Sequence, residues 1–205
     1  MAGLREKQKA DRRGRILRAA VARFRSVGYR AARIEDLAEQ AQVSVGTVYN
    51  YYRTKGDILI ATVALEVEEV LESGAALLAE PPEGALDAIR ALVFGYYDHS
   101  LNYLSKEMWR SAMALSIEAP ETPNGARYSA LDAALAAQVT DMIAALQARG
   151  ELRRDLDAGA MGKLMFNGLN QEFVDFVKDD AMTLAQLRAR IDAQLGPLVA
   201  LMEAT

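Results

Sequence analysis

Between Ser44 and Lys55 the chain gathers side chains suited to reading a surface by hydrogen bonds. Thr47, Tyr49, Asn50 and Tyr51 carry donors or acceptors, Val45 and Gly46 are small, and Lys55 adds a cation. Presented together on one short helix, such groups match the edges of bases in a groove, with flanking groups left for phosphates. Covalent chemistry has no comparable footing. The chain has no cysteine and one histidine, His99. Thiolate ligands, a cysteine nucleophile and a multi-histidine metal cluster are therefore excluded, and a catalytic triad is disfavoured. No paired carboxylates, nucleophile–base pair or glycine-rich phosphate loop stand at a meaningful spacing. The expectation is no catalytic residue, no metal and no cofactor.

Charge sharpens this reading. Residues 1–55 carry 13 Lys and Arg against 5 Asp and Glu, a net of +8, whereas residues 56–205 carry 11 against 23, a net of −12. A basic head on an acidic body suggests that the head meets a polyanion. A boundary is accordingly expected at residue 55, with a DNA-binding domain over 1–55 and a second domain over 56–205.

The elements that position these groups read as helices throughout. Apolar residues recur at three- and four-residue spacings and nowhere alternate as in a strand, so the expected fold class is all-α with about nine helices. These are expected near Asp11–Val27, Ile34–Gln40, Val45–Tyr51, Thr54–Leu78, Glu83–Tyr103, Lys106–Ala119, Ala126–Arg149, Asp157–Lys178 and Thr183–Met202. Gly28 suits a left-handed helix end, Ser44 and Asp157 suit N-caps, and Thr54 and Thr183 open capping boxes. Pro197 is expected to bend the last helix. No run is expected to reach membrane-spanning length, and the chain is expected in the cytoplasm. The two short helices form a helix-turn-helix candidate, with Ile34, Leu37, Ala38, Ala41, Val43 and Val48 on the inner face.

The string from Ile16 to Leu59 resembles the DNA-binding domain of TetR-family transcriptional regulators. The resemblance is carried by Ile16-Leu17-x-Ala-Ala, by Phe24 ahead of Val27-Gly28-Tyr29, and by Ile34-x-Asp36-Leu37-Ala38. It continues through Val43-Ser44-x-Gly46-Thr47-x-Tyr49-x-Tyr51-Tyr52 to Lys55. It implies that Thr47 and Tyr49 touch bases or the adjoining backbone, that Gly46 permits close approach, and that Tyr51 and Lys55 meet phosphates. Tyr52 matches an aromatic that packs the recognition helix. Arg33 stands where the family has a capping, phosphate-binding Ser or Thr, and Gln42 replaces the glycine of the turn. The DNA-binding set is thus Arg33, Ser44, Val45, Gly46, Thr47, Tyr49, Asn50, Tyr51 and Lys55. Ahead of it Arg5, Lys7, Lys9, Arg12 and Arg13 form a basic arm, either in contact with DNA or a solvated tail.

The resemblance also implies a homodimer on a near-palindromic operator. Apolar stripes in the last two helices are the expected seam, through Met161, Leu164, Met165, Gly168, Phe176, Leu184, Leu187, Ile191, Leu195 and Leu198; the alternative is an intramolecular core. A pocket for an unknown small-molecule effector, apolar or aromatic, is expected among Phe94, Tyr97, Leu101, Met108, Trp109, Met113, Phe166, Asn170 and Phe173. His99 is open to a pocket contact or a satisfied structural histidine. The resemblance implies a repressor released by its ligand. An activator or a ligandless regulator of the same fold stays open, with a helical enzyme as a distant alternative.

Overall fold

The structure is a computed structural model that describes residues 2–204. Among these residues it holds nine α-helices and no strand beyond an isolated bridge between Leu152 and Glu203. The helices are α1 (Ala2–Val27), α2 (Ile34–Gln40), α3 (Val45–Tyr51), α4 (Lys55–Ala79), α5 (Ala85–His99), α6 (Lys106–Glu118), α7 (Pro123–Ala148), α8 (Ala158–Lys178) and α9 (Leu184–Met202). The local signals act as their chemistry dictates. Ser44 and Asp157 accept from the third backbone N–H of α3 and α8, and Thr183 with Gln186 closes a reciprocal box on α9. Gly28 ends α1 with φ +84, and Pro197 lies inside α9.

Three boundaries differ from expectation by three residues or more. α1 begins nine residues earlier than Asp11, because residues 2–10 are mostly strong helix formers with no breaker but Gly3. α5 ends at His99 rather than Tyr103, where Ser100 and Asn102 turn the chain and Ser105 caps α6. α7 begins at Pro123, since proline fits a first helical position. α7 also corrects the expectation that no run reaches membrane-spanning length. By length and composition it could cross a membrane, largely on its alanines. In this structure Val139, Met142, Ile143 and Leu146 bury its inner face.

The chain forms two compact units. The first takes the chain up to Leu65 together with Tyr103–Tyr128, so α6 accompanies the three N-terminal helices. Its core includes Ile16, Ala20, Phe24, Leu37, Val48, Ile58, Leu59 and Met108. The second takes Glu66–Asn102 and Ser129–Thr205. There α9 packs on α5 and α8, burying Ile89, Leu92, Val93, Leu169, Val199 and Met202.

That core redefines the stripes on the last two helices. Met165, Phe176, Leu187, Ile191 and Leu195 are at most 2% exposed within the single chain, so they have no surface to offer a partner. Of the expected seam, Leu164 is exposed and Met161, Gly168, Leu184 and Leu198 are half-buried. The spacing in α9 therefore records packing on α5 and α8.

Candidate nucleic-acid interface

The first unit places the reading groups on α3. Val48 anchors this short helix in the core and Tyr52 follows it at 6% exposure. The Tyr52 hydroxyl accepts from Arg13 Nε at 3.4 Å, and burial raises its pKa against the opposing pull of that guanidinium. The aromatic that closes α3 is thus a packing residue. Ser44 Oγ accepts from Thr47 N at 3.0 Å and lies 2.8 Å from Thr47 Oγ1, so the two hydroxyls share one local network at the helix start.

Tyr49 is 49% exposed, Gly46 and Asn50 are exposed, and Val45, Thr47 and Tyr51 are half-buried. Gly46 is informative because packing does not require it. A Cβ there would find nothing nearer than Ser44 Oγ at 3.8 Å.

The turn ahead of α3 carries the expected strain. Gln42 adopts φ 54, the one positive φ outside glycine among the described residues. It holds because Gln42 N donates to Glu39 O and Val43 N to Ala38 O. Arg33 occupies the N-cap of α2 without a side-chain cap bond. Its exposed guanidinium lies 3.4 Å from Glu35.

Lys55 is engaged within the head itself. Its Nζ donates to Arg30 O at 2.9 Å and Ala32 O at 3.1 Å and stands 4.8 Å over the Tyr29 ring. Tyr29 in turn meets Phe24 edge-on at 5.3 Å. Two of the ammonium's three donors therefore hold the α1–α2 loop.

Glu107 of α6 grips the same loop from the other sign of charge. Its Oε1 accepts from Arg30 N at 3.3 Å, and its Oε2 would lie 2.9 Å from a Cβ at Gly28. Beside this clamp, burial alone would raise the Asp57 carboxyl. Donors from Asn124 and Thr54 side chains and from the backbones of Arg53 and Thr54 outweigh it and hold the group below its ordinary range. Sequence reasoning missed Glu107 and Asn124, since both lie more than 60 residues away from their partners, Arg30 and Asp57. The Thr54–Asp57 capping box was the sole local signal.

In the second unit His99 is a satisfied structural histidine. Its Nδ1 is 2.5 Å from Glu66 Oε1 and its Nε2 is 3.2 Å from Glu69 Oε2, with Glu66 only 2% exposed. The nine pocket candidates divide between the units. Met108, Trp109 and Met113 belong to the first; Phe94, Tyr97, Leu101, Phe166, Asn170 and Phe173 belong to the second. Within the second, the Tyr97 and Phe173 rings meet at a 36° tilt with centroids 5.6 Å apart, both mostly buried. Among the described residues no three His, Asp or Glu side chains group as metal ligands.

Comparison with known proteins agrees with this architecture. Residues 16–62 match the family described as bacterial regulatory proteins, tetR family. The transcriptional regulator BetI of Stenotrophomonas maltophilia is 29% identical over 111 residues, covering 54% of this chain and 57% of BetI. The chain thus spans little more than half the length of that relative. A Mesorhizobium loti structure described as a TetR-family regulator superposes with TM-score 0.73 at 21% identity, covering 95% of this chain and 98% of the other. Thermus thermophilus FadR, a TetR-family repressor in complex with lauroyl-CoA, gives TM-score 0.64 at 23% identity over 92% and 93%. At these identities the structures speak for the fold alone, while the sequence match sets the helical-enzyme reading aside, for the family is one of regulators. Residues 16–62, from α1 into the start of α4, are thus a match to the tetR family of bacterial regulatory proteins.

Proposed function

We propose that the protein is a DNA-binding transcriptional regulator that represses as a homodimer and leaves its operator when a small apolar or aromatic effector binds. The observation that carries this reading is α3. A helix seated by Val48 and Tyr52 exposes Gly46, Tyr49 and Asn50 within the basic head. In this reading residues 1–55 do the reading, with Thr47, Tyr49 and Asn50 toward bases and Arg33, Tyr51 and the remaining donor of Lys55 toward phosphates. Residues 56–205 carry effector and dimer contacts, and the protein works in the cytoplasm beside the DNA.

The dimer surface is the part of the seam that the core leaves open, centred on exposed Leu164 with Met161, Gly168, Leu184 and Leu198, and extended by Leu201 at 74% exposure. A two-fold operator requires a two-fold protein, whose recognition helices stand about 34–36 Å apart to enter successive major grooves. The aromatic set around Tyr97 and Phe173 supports an apolar effector, as does the acyl-CoA complex of the FadR neighbour. Helix α4 runs unbroken from Lys55 to Ala79 and contributes residues to both units, which makes it the covalent route for the signal. Release requires the effector to bind the two arrangements with different affinity, so effector and operator oppose one another.

The test is selection of a duplex from a random pool by the purified protein, followed by affinity measurements on variants. Asn50→Ala and Tyr51→Ala should each weaken binding by about tenfold with unchanged thermal stability. Failure to enrich any duplex, or undiminished affinity in both variants, refutes the reading.

A further inference from the structure

We propose that the cleft between α1 and the α2–α3 turn is a second anion site, built to take a phosphate group. It is an open cleft of about 220 Å³ lined by Arg15, Arg18, Ala19, Gln40, Ala41 and Gln42. Four of the six lining side chains are long hydrogen-bond donors, two of them permanent cations, and none is a carboxylate. A cavity so furnished repels cations and offers a carboxylate or phosphate more donors than it needs. The planar forks of two arginines favour the phosphate, whose oxygens accept bidentate pairs from more than one direction.

The two arginines are held differently. Arg15 Nη1 donates to Ala41 O at 3.3 Å and so ties the end of α2 to α1. Its Nε is buried without a hydrogen-bond partner, the nearest acid being Asp11 at 3.4 Å. That ion pair leaves the buried Nε without a hydrogen bond, on a side chain that lines the cleft. Arg18 is exposed, with Nη1 lying back toward its own helix, 3.3 Å from where a Cβ on Gly14 would stand. It makes no ion pair among the described residues, so its charge is free to meet an incoming anion.

Position assigns the source. Gln42 stands two residues ahead of Ser44, the cap of α3, so a phosphate in the cleft flanks the recognition helix at the end that enters the groove. On the DNA-binding reading, on which this source rests, it is a backbone phosphate adjoining the bases that α3 touches. The site fixes register and carries no sequence preference of its own. The same chemistry would accept free inorganic phosphate, and two measurements separate the sources.

The first measures affinity against salt for a duplex selected by the wild-type protein. Arg18→Ala should weaken binding by about tenfold on selected and random duplexes alike, and lower the salt slope by about one unit. Arg18→Lys should keep the slope while losing part of the affinity, a rescue that a purely structural arginine would not show. The second titrates inorganic phosphate onto the DNA-free protein and follows thermal unfolding. Stabilisation at millimolar phosphate that Arg18→Ala abolishes, with an unchanged DNA slope, assigns the cleft to the free anion. If wild-type protein selects no duplex yet responds to phosphate through Arg18, the DNA reading fails and the anion site stands. An Arg18→Ala variant that alters neither the salt slope nor the phosphate response overturns the proposal.

Discussion

Gly46 and Gly162 are the same residue under opposite constraints, and the contrast separates the two regions of the molecule. At Gly46 on α3 a side chain would enter open space, whereas at Gly162 on α8 it would strike the Thr140 backbone, with Cα only 2.7 Å away. The head turns its chemistry outward: short helices bury a minimum of anchors and leave polar groups at the surface. The second unit turns inward, and at Gly74 and Gly162 the missing side chain lets α4 and α8 press closely on α7. A surface built to meet a partner is recognised by residues that the chain's own packing does not explain.

The largest expected effect tests that contrast directly. Gly162→Val should destabilise the protein by about 3 kcal/mol, because the backbone of α7 cannot yield as a side chain could. Gly46→Val should leave unfolding within about 0.5 kcal/mol of wild type, valine and glycine both being mediocre in helices. Chemical denaturation of the two variants checks both. Equal losses at the two positions would mean that α3 is packed against something, and the distinction between the regions would fall.

The next effect lies wholly in the second unit. Burial pushes the Asp132 carboxyl up from 3.8 to about 6. The folded state then holds this proton more tightly than the unfolded chain, so stability rises as pH falls from about 6 toward 4 and is lower at neutral pH. Asp132→Asn should add about 2 kcal/mol at pH 7 and flatten the profile across that window. A variant as pH-dependent as wild type would place the titration elsewhere.

How much of this was legible in the sequence follows from the range of each interaction. Ser44, Gly28, Thr183 and Asp157 act within four residues, and their signals named the element ends. Periodicity identified the covered face of α9 but not its cover: Leu187, Ile191 and Leu195 were read as a dimer seam, and within the single chain they are buried where α9 packs on α5 and α8. Glu107 was invisible because nothing in its neighbourhood shows that a backbone amide 77 residues away needs an acceptor. The carbonyl partners of Lys55 at Arg30 and Ala32 were not legible, for they depend on how the loop folds back.

That loop gives a smaller test. Lys55→Met should cost about 1–2 kcal/mol in DNA-free protein, through two charge-assisted hydrogen bonds and the cation–π contact with Tyr29. Glu107→Gln should cost less, since the amide oxygen still accepts from Arg30 N. Undiminished stability in Lys55→Met would return the ammonium wholly to phosphate binding, and the head would depend less on its long-range clamp than the geometry indicates.

The smallest effect concerns Gln42, whose φ of 54 lies where a Cβ crowds the backbone. Relieving it with Gln42→Gly should gain under about 1 kcal/mol, because the strain removed is offset by the greater freedom of glycine in the unfolded chain. The sign is what matters. A gain says that the turn keeps a costly residue for a reason other than folding, and the amide of Gln42 at the mouth of the arginine cleft supplies one. A loss says that glutamine is held by packing after all, and the turn then resembles the inward-facing second unit more than the outward-facing recognition helix beside it.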